Sequence, residues 1–294
     1  MQKQIILVLM LLCSYSLSSQ DKCNILVIGA HPDDCELITG GTSSKLIQKG
    51  HKVKFVSMTN GNKGHHIHNT ETIERIRKKE VEEVKKRLGC EYEVLNNNDG
   101  ELIATLELRN EVIRLIREWE ADLVITHPNY DYHPDHRHTS TLVQDAAFMV
   151  TVPLANPTIP ILRNNPVFLY MLGRLDNPNR KETEIAIDIT SVLKQKAHVV
   201  DSHFSQMYEW LPWINQKPLN NVDIDSQSSR ESYLYNYFIE ERNKVADKDI
   251  PALKRWYGES KDFKEIKAVE RYEICPFGKQ VSDSELKVLF PVFD

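Results

Sequence analysis

The sequence predicts an α/β fold in which helices cover both faces of a mostly parallel sheet. Short apolar runs rich in β-branched residues, typical of buried strands, alternate with longer segments whose apolar residues have helical spacing. Strands that alternate with helices favour a parallel sheet. The chain has 294 residues, 41% of them hydrophobic and 27% charged, with a net charge of −5, which is typical of a soluble globular protein. This length suffices for one sizeable domain.

In the first half of the chain, predicted strands and helices alternate regularly. Strands are predicted at 24–30, 52–59, 92–95 and 122–127, and helices at 36–50, 70–89, 105–119 and 138–150. Gly50 and Gly89 stand where a glycine commonly ends a helix. Sheets of this kind bind ligands beyond the carboxyl ends of their strands, where the strand order reverses. The alternation therefore predicts a Rossmann-like arrangement with its site at that edge.

The second half of the chain is less regular. A segment with four prolines, residues 151–166, predicts an irregular loop or cover. Strands are predicted at 166–172 and 183–190, and a helix at 191–210. From about residue 220 the chain is polar and aromatic without a strong period, which predicts an irregular C-terminal extension. A small cap, a surface for a partner and a loosely packed segment all remain open for it. Since there is no repeat and no clear linker, one elaborated domain is expected.

The amino terminus is typical of a secretory signal peptide. Lys3 precedes an apolar run at 5–12, and small polar residues follow. The apolar run is too short to span a bilayer comfortably, because a transmembrane helix needs about 20 apolar residues. A buried first strand and a membrane anchor remain alternatives. We expect a signal peptide at 1–20, a mature chain at 21–294 without a transmembrane segment, and a secreted or periplasmic location.

The cysteines and the net charge exclude some kinds of function but leave the disulfide pairing open. Four cysteines remain after Cys13 leaves with the signal peptide: Cys23, Cys35, Cys90 and Cys275. Four cysteines can pair in three ways or stay as free thiols, and their spacing resembles neither a zinc ribbon nor a CxxC motif. A mildly acidic chain without a basic stripe is a poor candidate for nucleic-acid binding. The oligomeric state is not predicted.

Two clusters of ligand-type side chains each follow a predicted strand. "GAHPDDCE" at 29–36 contains His31 and two adjacent aspartates, and "DYHPDHRH" at 131–138 contains three histidines and two aspartates. Taken alone, either cluster would be explained by an ordinary turn or a solvated loop. A catalytic zinc, however, takes three ligands from His, Asp or Glu and keeps a position open for water. One of the paired aspartates would then be a ligand, and the other would be free to accept a proton.

The clusters resemble the two signature motifs of the PIG-L/LmbE-like family. This is the family of zinc-dependent N-acetylglucosaminyl-phosphatidylinositol de-N-acetylases. The similar segments are "AHPDDCE" at 30–36, "TNGNKGHH" at 59–66, "HPDHRHT" at 133–139 and "KQKAHVVDSHFSQ" at 194–206. They occur in the order of the family and cover residues 24 to about 210, which would be the core of the domain. The extension at 211–294 resembles nothing known.

The resemblance implies a role for each residue of the two motifs. The zinc ligands would be His31, Asp34 and His136. Asp33 would be the general base. His133 would stabilise the oxyanion or protonate the leaving amine, and Asp135 would hold the His133 imidazole in the right tautomer.

Four further residues are predicted to contact the substrate: Asp99, Arg77, His65 and His66. A turn aspartate before Gly100 would explain Asp99 equally well, and an ion pair with Glu80 or Glu74 would explain Arg77. The histidines lie just past the second strand, close enough to line a pocket, and at least one of them is expected to be only a loop residue.

The implied function is hydrolysis of an N-acetyl amide. An exported enzyme would remove the acetyl group from an N-acetylglucosamine-containing glycoside, glycan or glycolipid with a zinc-bound water, and Fe²⁺ or Co²⁺ would suit the same ligands. A catalytically silent carbohydrate-binding or surface-interaction protein on the same fold is one alternative. A deacylase of another N-acyl amine is a second. Since the ligands and the base are all present, the sequence favours an enzyme.

Overall fold

The computed structural model describes residues 22–173, 177–259 and 262–293. The predicted signal peptide at 1–20 lies outside these ranges. Within them, no helix is both long and apolar enough to cross a membrane. Cys35, Cys90 and Cys275 are buried free thiols.

Seven strands form one sheet. They are β1 (Asn24–Gly29), β2 (Lys52–Ser57), β3 (Glu91–Val94), β4 (Leu123–Thr126), β5 (Val167–Met171), β6 (Ile185–Asp188) and β7 (Val269–Gly278). Their order is β3-β2-β1-β4-β5-β7-β6. The first five strands pair in parallel, and β7 pairs antiparallel with both β5 and β6. The predicted α/β fold with a mostly parallel sheet is therefore confirmed.

The α-helices connect and cover the strands. They are α1 (Asp34–Gln48), α2 (Thr70–Leu88), α3 (Leu106–Glu118), α4 (Pro134–Met149), α5 (Leu193–Val200), α6 (Leu211–Ile214), α7 (Gln227–Tyr237), α8 (Ile250–Tyr257) and α9 (Asp283–Leu289). Short 3₁₀ turns lie at Pro153–Ala155, Thr190–Val192, Asp247–Asp249 and Phe263–Glu265, and π-helical segments lie at Ser205–Trp210 and Phe238–Arg242.

The two faces of the sheet bury separate apolar cores. Ile25 and Val27 of β1 belong to the core shared with α1, α2, α5 and the C-terminal helices. Leu26 and Ile28 belong to the core shared with α3 and α4. Successive side chains of a strand point to opposite faces, so one fully buried strand contributes to both cores.

The strand order reverses between β1 and β4. From β1 the chain continues to β2 and β3 on one side, and then returns to β4 on the other side of β1. The crevice beyond the carboxyl ends of β1 and β4 is the usual ligand site of such a sheet. Both motif clusters of the sequence follow these two strands.

The C-terminal extension is more regular than the sequence predicted. Residues 211–294 contribute α6 to α9 and also β7, which lies between β5 and β6 in the central sheet. The sequence of β7 does not have the alternation of apolar and polar residues that predicts a strand. Its buried positions do not alternate, and one of them is the charged Glu270. Glu270 contacts Lys196 of α5 at 2.6 Å and accepts hydrogen bonds from the backbone N–H groups of Gly41 and Thr42 in α1. A prediction from hydrophobic periodicity therefore missed strand β7.

Two helix boundaries that bear on the site also differ from the prediction. Helix α4 begins at Pro134 rather than near residue 138, since proline is well tolerated in the first turn of a helix. The predicted helix at 191–210 is divided: α5 ends at Val200, and a turn separates it from the π-helical segment Ser205–Trp210.

Candidate metal centre and active-site pocket

The two motif clusters meet at the point where the strand order reverses. His31 and Asp34 lie in the turn from β1 into α1, and His136 lies in the first turn of α4. Gly29 ends β1, and a Cβ atom there would stand 2.8 Å from Cβ of Asp34. Glycine is therefore needed for the Asp34 side chain to fold back over the strand end. Oδ2 of Asp34 accepts the backbone N–H groups of Ala30 and His31 at 3.0 and 2.8 Å.

The donor atoms of the three predicted ligands lie close together, with each oxygen of Asp34 facing one histidine. Nδ1 of His31 lies 3.3 Å from Oδ2 of Asp34, and Nε2 of His136 lies 3.4 Å from Oδ1 of Asp34. The same two nitrogens of His31 and His136 are 3.3 Å apart. Ligand atoms about 2.1 Å from a tetrahedral zinc are about 3.4 Å from one another. The spacing fits such an ion.

A carboxylate also lies next to the second imidazole nitrogen of His31 and of His136. Nε2 of His31 lies 3.1 Å from Oδ1 of Asp99 and 3.3 Å from Oδ2 of Asp135. Nδ1 of His136 lies 3.0 Å from Oδ1 of Asp131. A carboxylate on the far nitrogen is the usual partner of a metal-bound histidine, because it fixes the tautomer and leaves the near nitrogen as a lone pair.

The position of Asp135 differs from the prediction. The sequence assigned its carboxylate to His133, but the structure places it against His31. The Asp135 carboxylate also accepts the backbone N–H groups of Gly100 and Leu102, at 2.7 and 3.3 Å. Asp135 contacts the His133 imidazole through its backbone N–H instead.

The charges of the cluster favour a bound cation. Five aspartates lie within it: Asp33, Asp34, Asp99, Asp131 and Asp135. Burial alone would raise the pKa of Asp34, but the neighbouring His136 and His127 hold it well below its ordinary value. Burial opposes a charge on His31, yet hydrogen bonds to Asp135, Asp34 and Asp99 raise its pKa well above the ordinary value. A divalent ion of the zinc, iron or cobalt kind suits this donor set.

Two other histidines approach the same point. His127, which directly follows β4, lies 3.2 Å from Oδ2 of Asp34 and stacks on His136 at 3.9 Å. Its Nε2 also lies 3.1 Å from the backbone nitrogen of Ala30. Nδ1 of His133 accepts the backbone N–H of Asp135 at 3.2 Å. Two further groups, Asp34–His127–His136 and His31–His133–His136, therefore have donor atoms close enough together to hold a metal ion.

The paired aspartates face different surroundings. Asp34 packs against the histidines at the strand end, whereas Asp33 lines the adjoining pocket. Burial, followed by the charge of Asp34, raises the pKa of Asp33. One carboxylate is thus placed as a ligand and its neighbour as a proton acceptor beside it.

His133 is the capping residue of α4 and also lines the pocket. Because its Nδ1 accepts a hydrogen bond, the neutral ring carries its hydrogen on Nε2. Burial and the positive neighbours His31 and His136 lower the pKa of His133 to about 4. The imidazole is then a neutral donor that can face a substrate oxygen.

The pocket has a volume of about 600 Å³, within the range of small-molecule sites. Two of the predicted substrate contacts, Asp99 and Arg77, line it. Arg77 donates to the carbonyl of Gly64 at 3.0 Å and lies 3.3 Å from Glu80, one of the two ion-pair partners considered, but it is buried rather than exposed. A Cβ atom on Gly64 would come within 3.4 Å of Asp99 and 3.5 Å of Arg77. Because Gly64 has no side chain, the pocket stays open between Asp99 and Arg77.

His65 and His66 lie behind the pocket wall and do not line the cavity. Nε2 of His65 lies 3.1 Å from Glu209, and its Nδ1 accepts the backbone N–H groups of Ile67 and His68. His66 stacks on Trp213 at 4.7 Å. Both histidines brace the loop after β2 against the segment that begins at Ser205.

Sequence reasoning did not assign His127 or Trp210 to the site. His127 is the last residue of a predicted strand, and its position at that strand end was a usable signal. Trp210 lines the pocket, but it belongs to a segment that was predicted as the end of an ordinary helix. Nothing in its local pattern indicates a pocket.

Histidines and aspartates gathered at the switch point of a parallel sheet form a donor set that could hold a metal ion, as in metal-dependent hydrolases. The family model for GlcNAc-PI de-N-acetylases (PIG-L) matches residues 26–147. Diacetylchitobiose deacetylase of Thermococcus kodakarensis is 30% identical over 213 residues, which are 66% of this chain and 76% of the relative. The chain therefore belongs to the PIG-L family, as the resemblance implied, and it is a hydrolytic N-deacetylase.

Solved structures agree with this assignment. N,N'-diacetylchitobiose deacetylase from Pyrococcus horikoshii superimposes with a TM-score of 0.62 at 25% identity, over 87% of this chain and 85% of the other. The hydratase GalB of Pseudomonas putida has a TM-score of 0.63 at 18% identity, over 88% of this chain and 98% of the other. Because that second likeness shows the fold alone, the reaction has to be argued from the site.

Proposed function

We propose that this enzyme removes the acetyl group from an N-acetylglucosamine unit of a glycoside, glycan or glycolipid, with zinc as the expected metal. The observation that carries the proposal is a set of three ligand-type residues whose donor atoms approach one another to 3.3–3.4 Å, with a second aspartate facing the pocket beside them. The two diacetylchitobiose deacetylases among the similar proteins are named for a disaccharide of N-acetylglucosamine. They support a sugar as the carrier of the amide.

The ligands His31, Asp34 and His136 would hold the metal. When bound, a divalent metal polarises the acetyl carbonyl and lowers the pKa of a water molecule toward about 7. Asp33 accepts the proton of the attacking water, because its carboxylate faces the pocket next to the ligands.

His133 lines the same pocket as Asp33 and would act on the carbonyl oxygen. Its Nε2–H donates to the carbonyl oxygen as negative charge develops there, since Nδ1 is held by the backbone N–H of Asp135. As the C–N bond breaks, the leaving nitrogen takes up the proton held by Asp33. The products are acetate and the free amino sugar.

Asp99 and Arg77 would contact the sugar. Asp99 uses Oδ1 for His31, so Oδ2 can accept a sugar hydroxyl. Arg77 holds the loop at Gly64 and so keeps the pocket open beside that carboxylate.

The proposal also places the enzyme outside the cytoplasm. Support for this part comes from the sequence of residues 1–20, with its basic start, apolar run and small polar end.

The test measures acetate release from N-acetylglucosamine, diacetylchitobiose and a non-sugar N-acetyl amine. We expect release from the sugars, loss of release after chelation and recovery on addition of zinc. If metal-loaded protein released no acetate from any N-acetylated sugar, the proposed function would be wrong. Faster release from the non-sugar amine would support the alternative of another N-acyl amine.

A further inference from the structure

One wall of the pocket is formed by residues outside the part that matches the family model. That match ends at residue 147, whereas Trp210, Leu211, Ile214 and Asn215 line the cavity together with the metal-centre residues His31, Asp33 and His133. The wall belongs to the π-helical segment Ser205–Trp210 and to α6. The four wall residues therefore lie outside both the family-model match and the four similar motif segments.

Stacked rings support Trp210 from behind. Its indole stacks on Trp213 with the ring centroids 5.3 Å apart and the planes at 23°. Trp213 in turn stacks on His66 at 4.7 Å and 7°. The Trp210 ring is thereby held in one orientation, and an oriented ring can bind a ligand without first being ordered.

Buried polar contacts fix the segment that carries Trp210. Glu80 of α2 accepts the backbone N–H of Ser205 at 2.6 Å and its hydroxyl at 2.9 Å. Arg77 of the same helix donates to the side chain of Gln206. The wall is thus anchored to the helix that also lines the pocket, so its position relative to the metal centre is fixed.

The wall combines apolar and polar groups. Trp210, Leu211 and Ile214 offer apolar surface, whereas Lys63 and Asn215 offer polar groups at the same cavity. A pyranose ring has a face of C–H groups that packs on an indole and a rim of hydroxyls that needs hydrogen bonds. Lys63 pairs with Glu101, and Nδ2 of Asn215 donates to the carbonyl of Leu211. The ammonium and amide groups nevertheless have further donors and an acceptor for sugar hydroxyls, which an alkyl chain would not use. The mixed lining favours a sugar ring at this wall.

The cavity has room for more than the reacting sugar. Its volume of about 600 Å³ lies in the range that encloses drug-sized ligands, which are larger than a single sugar. We propose that Trp210 binds the sugar ring next to the one that is deacetylated, so that the enzyme prefers an oligosaccharide to N-acetylglucosamine itself. This inference rests on the proposed function.

The test compares kcat/KM for diacetylchitobiose and for N-acetylglucosamine in the wild type, Trp210→Ala and Trp210→Phe. The wild type is expected to prefer the disaccharide. Trp210→Ala should lower kcat/KM for the disaccharide by about 5- to 20-fold, mainly through KM, because one aromatic contact is lost. The monosaccharide value should change less than about twofold, and Trp210→Phe should retain most of the preference.

The controls separate this inference from the proposed function. Phe148→Ala removes an exposed aromatic side chain of α4 outside the pocket and should leave both values unchanged. Equal loss on both substrates in Trp210→Ala, or no loss on either, would overturn the inference while the deacetylase function stood. An alkyl glycoside of N-acetylglucosamine that depends on Trp210 as strongly as the disaccharide does would also overturn it. A wild type inactive on every N-acetylated sugar would refute the proposed function itself.

Discussion

Each imidazole of the metal centre has two nitrogens. The hydrogen-bond partner of one nitrogen determines whether the other carries a lone pair or a hydrogen. The far nitrogens of His31 and His136 face the carboxylates of Asp99, Asp135 and Asp131. With a metal bound, their near nitrogens would provide the lone pairs that hold it. In His133 a backbone N–H occupies Nδ1, so this ring can offer a hydrogen on Nε2 instead. The same residue type thus has two functions within one site.

Asp135→Asn should weaken metal binding without preventing it. The amide oxygen can still accept a hydrogen bond from Nε2 of His31 but lacks the negative charge of the carboxylate, and losing such a charged partner costs about 10- to 100-fold in metal affinity. The measurement is competition with a chelator of known affinity. Asp145→Asn, an exposed change on the same helix, is the matched control and should bind metal as the wild type does. Unchanged affinity in Asp135→Asn would contradict the assigned contact.

His133→Ala should keep the metal and lose rate. Removing one donor to a developing oxyanion typically lowers kcat by about 10² to 10³. The measurement combines metal analysis with acetate release. Loss of the metal in this variant would instead place His133 among the ligands.

The sequence motifs predicted candidate ligands that the structure brings together, but they did not predict all of the partners of these residues. His31, Asp34 and His136 lie within short motifs next to strand ends, and the structure brings their ligand atoms together. The partner of Asp135 was misassigned, because it depends on how the loop at Gly100 and Leu102 reaches the first turn of α4. That approach is a tertiary contact without a local pattern.

Two βα units position the catalytic groups, and a third region forms the pocket wall. The turn from β1 into α1 and the turn from β4 into α4 open on the same edge because the two strands are parallel neighbours. Alternation of strands and helices made this edge predictable from the sequence. The wall could not be predicted, because the segment Ser205–Trp210 is π-helical and its apolar residues lack the period of an α-helix.

The C-terminal extension should contribute to stability through one buried ion pair. Lys196 of α5 and Glu270 of β7 are both fully buried and lie 2.6 Å apart. Lys196→Met leaves the carboxylate without its partner and should lower the free energy of unfolding by about 3–5 kcal/mol. Urea denaturation measures this change. Restoring much of the loss by adding Glu270→Gln to that variant would show that the unpaired charge causes it.

An exposed ion pair gives the matched comparison. Lys217 and Glu241 are 3.2 Å apart on the surface, and Lys217→Met should change the free energy of unfolding by less than about 1 kcal/mol. Equal effects of the two lysine substitutions would contradict the role given to β7 in the core.

The molecule as a whole is one mixed sheet that carries its site at a single edge. Strand β7 lies inside the sheet, so the tail and the amino-terminal strands share one structural unit. The fold class followed from the regular first half of the sequence. The antiparallel strand did not, since its pairing with β5 and β6 links residues about a hundred positions apart.

Export is a prediction about the whole chain. Protein recovered from its native cell should begin between Ser18 and Asp21, because small residues there follow the apolar run. Amino-terminal sequencing gives the answer. Recovery of protein that starts at Met1 would rule out the proposed location.

The paired aspartates provide the most direct test of the proposed chemistry. Asp33→Asn and Asp34→Asn are the same nearly isosteric change at adjacent positions, so each is the control for the other. Metal content and acetate release should be measured together on both variants. Asp33→Asn should keep the metal while the rate falls by about 10² to 10⁴, the usual effect of losing a positioned general base. Asp34→Asn should lose the metal. If Asp33→Asn emptied the site, or deacetylated at nearly the wild-type rate, the roles assigned to the two aspartates would be contradicted.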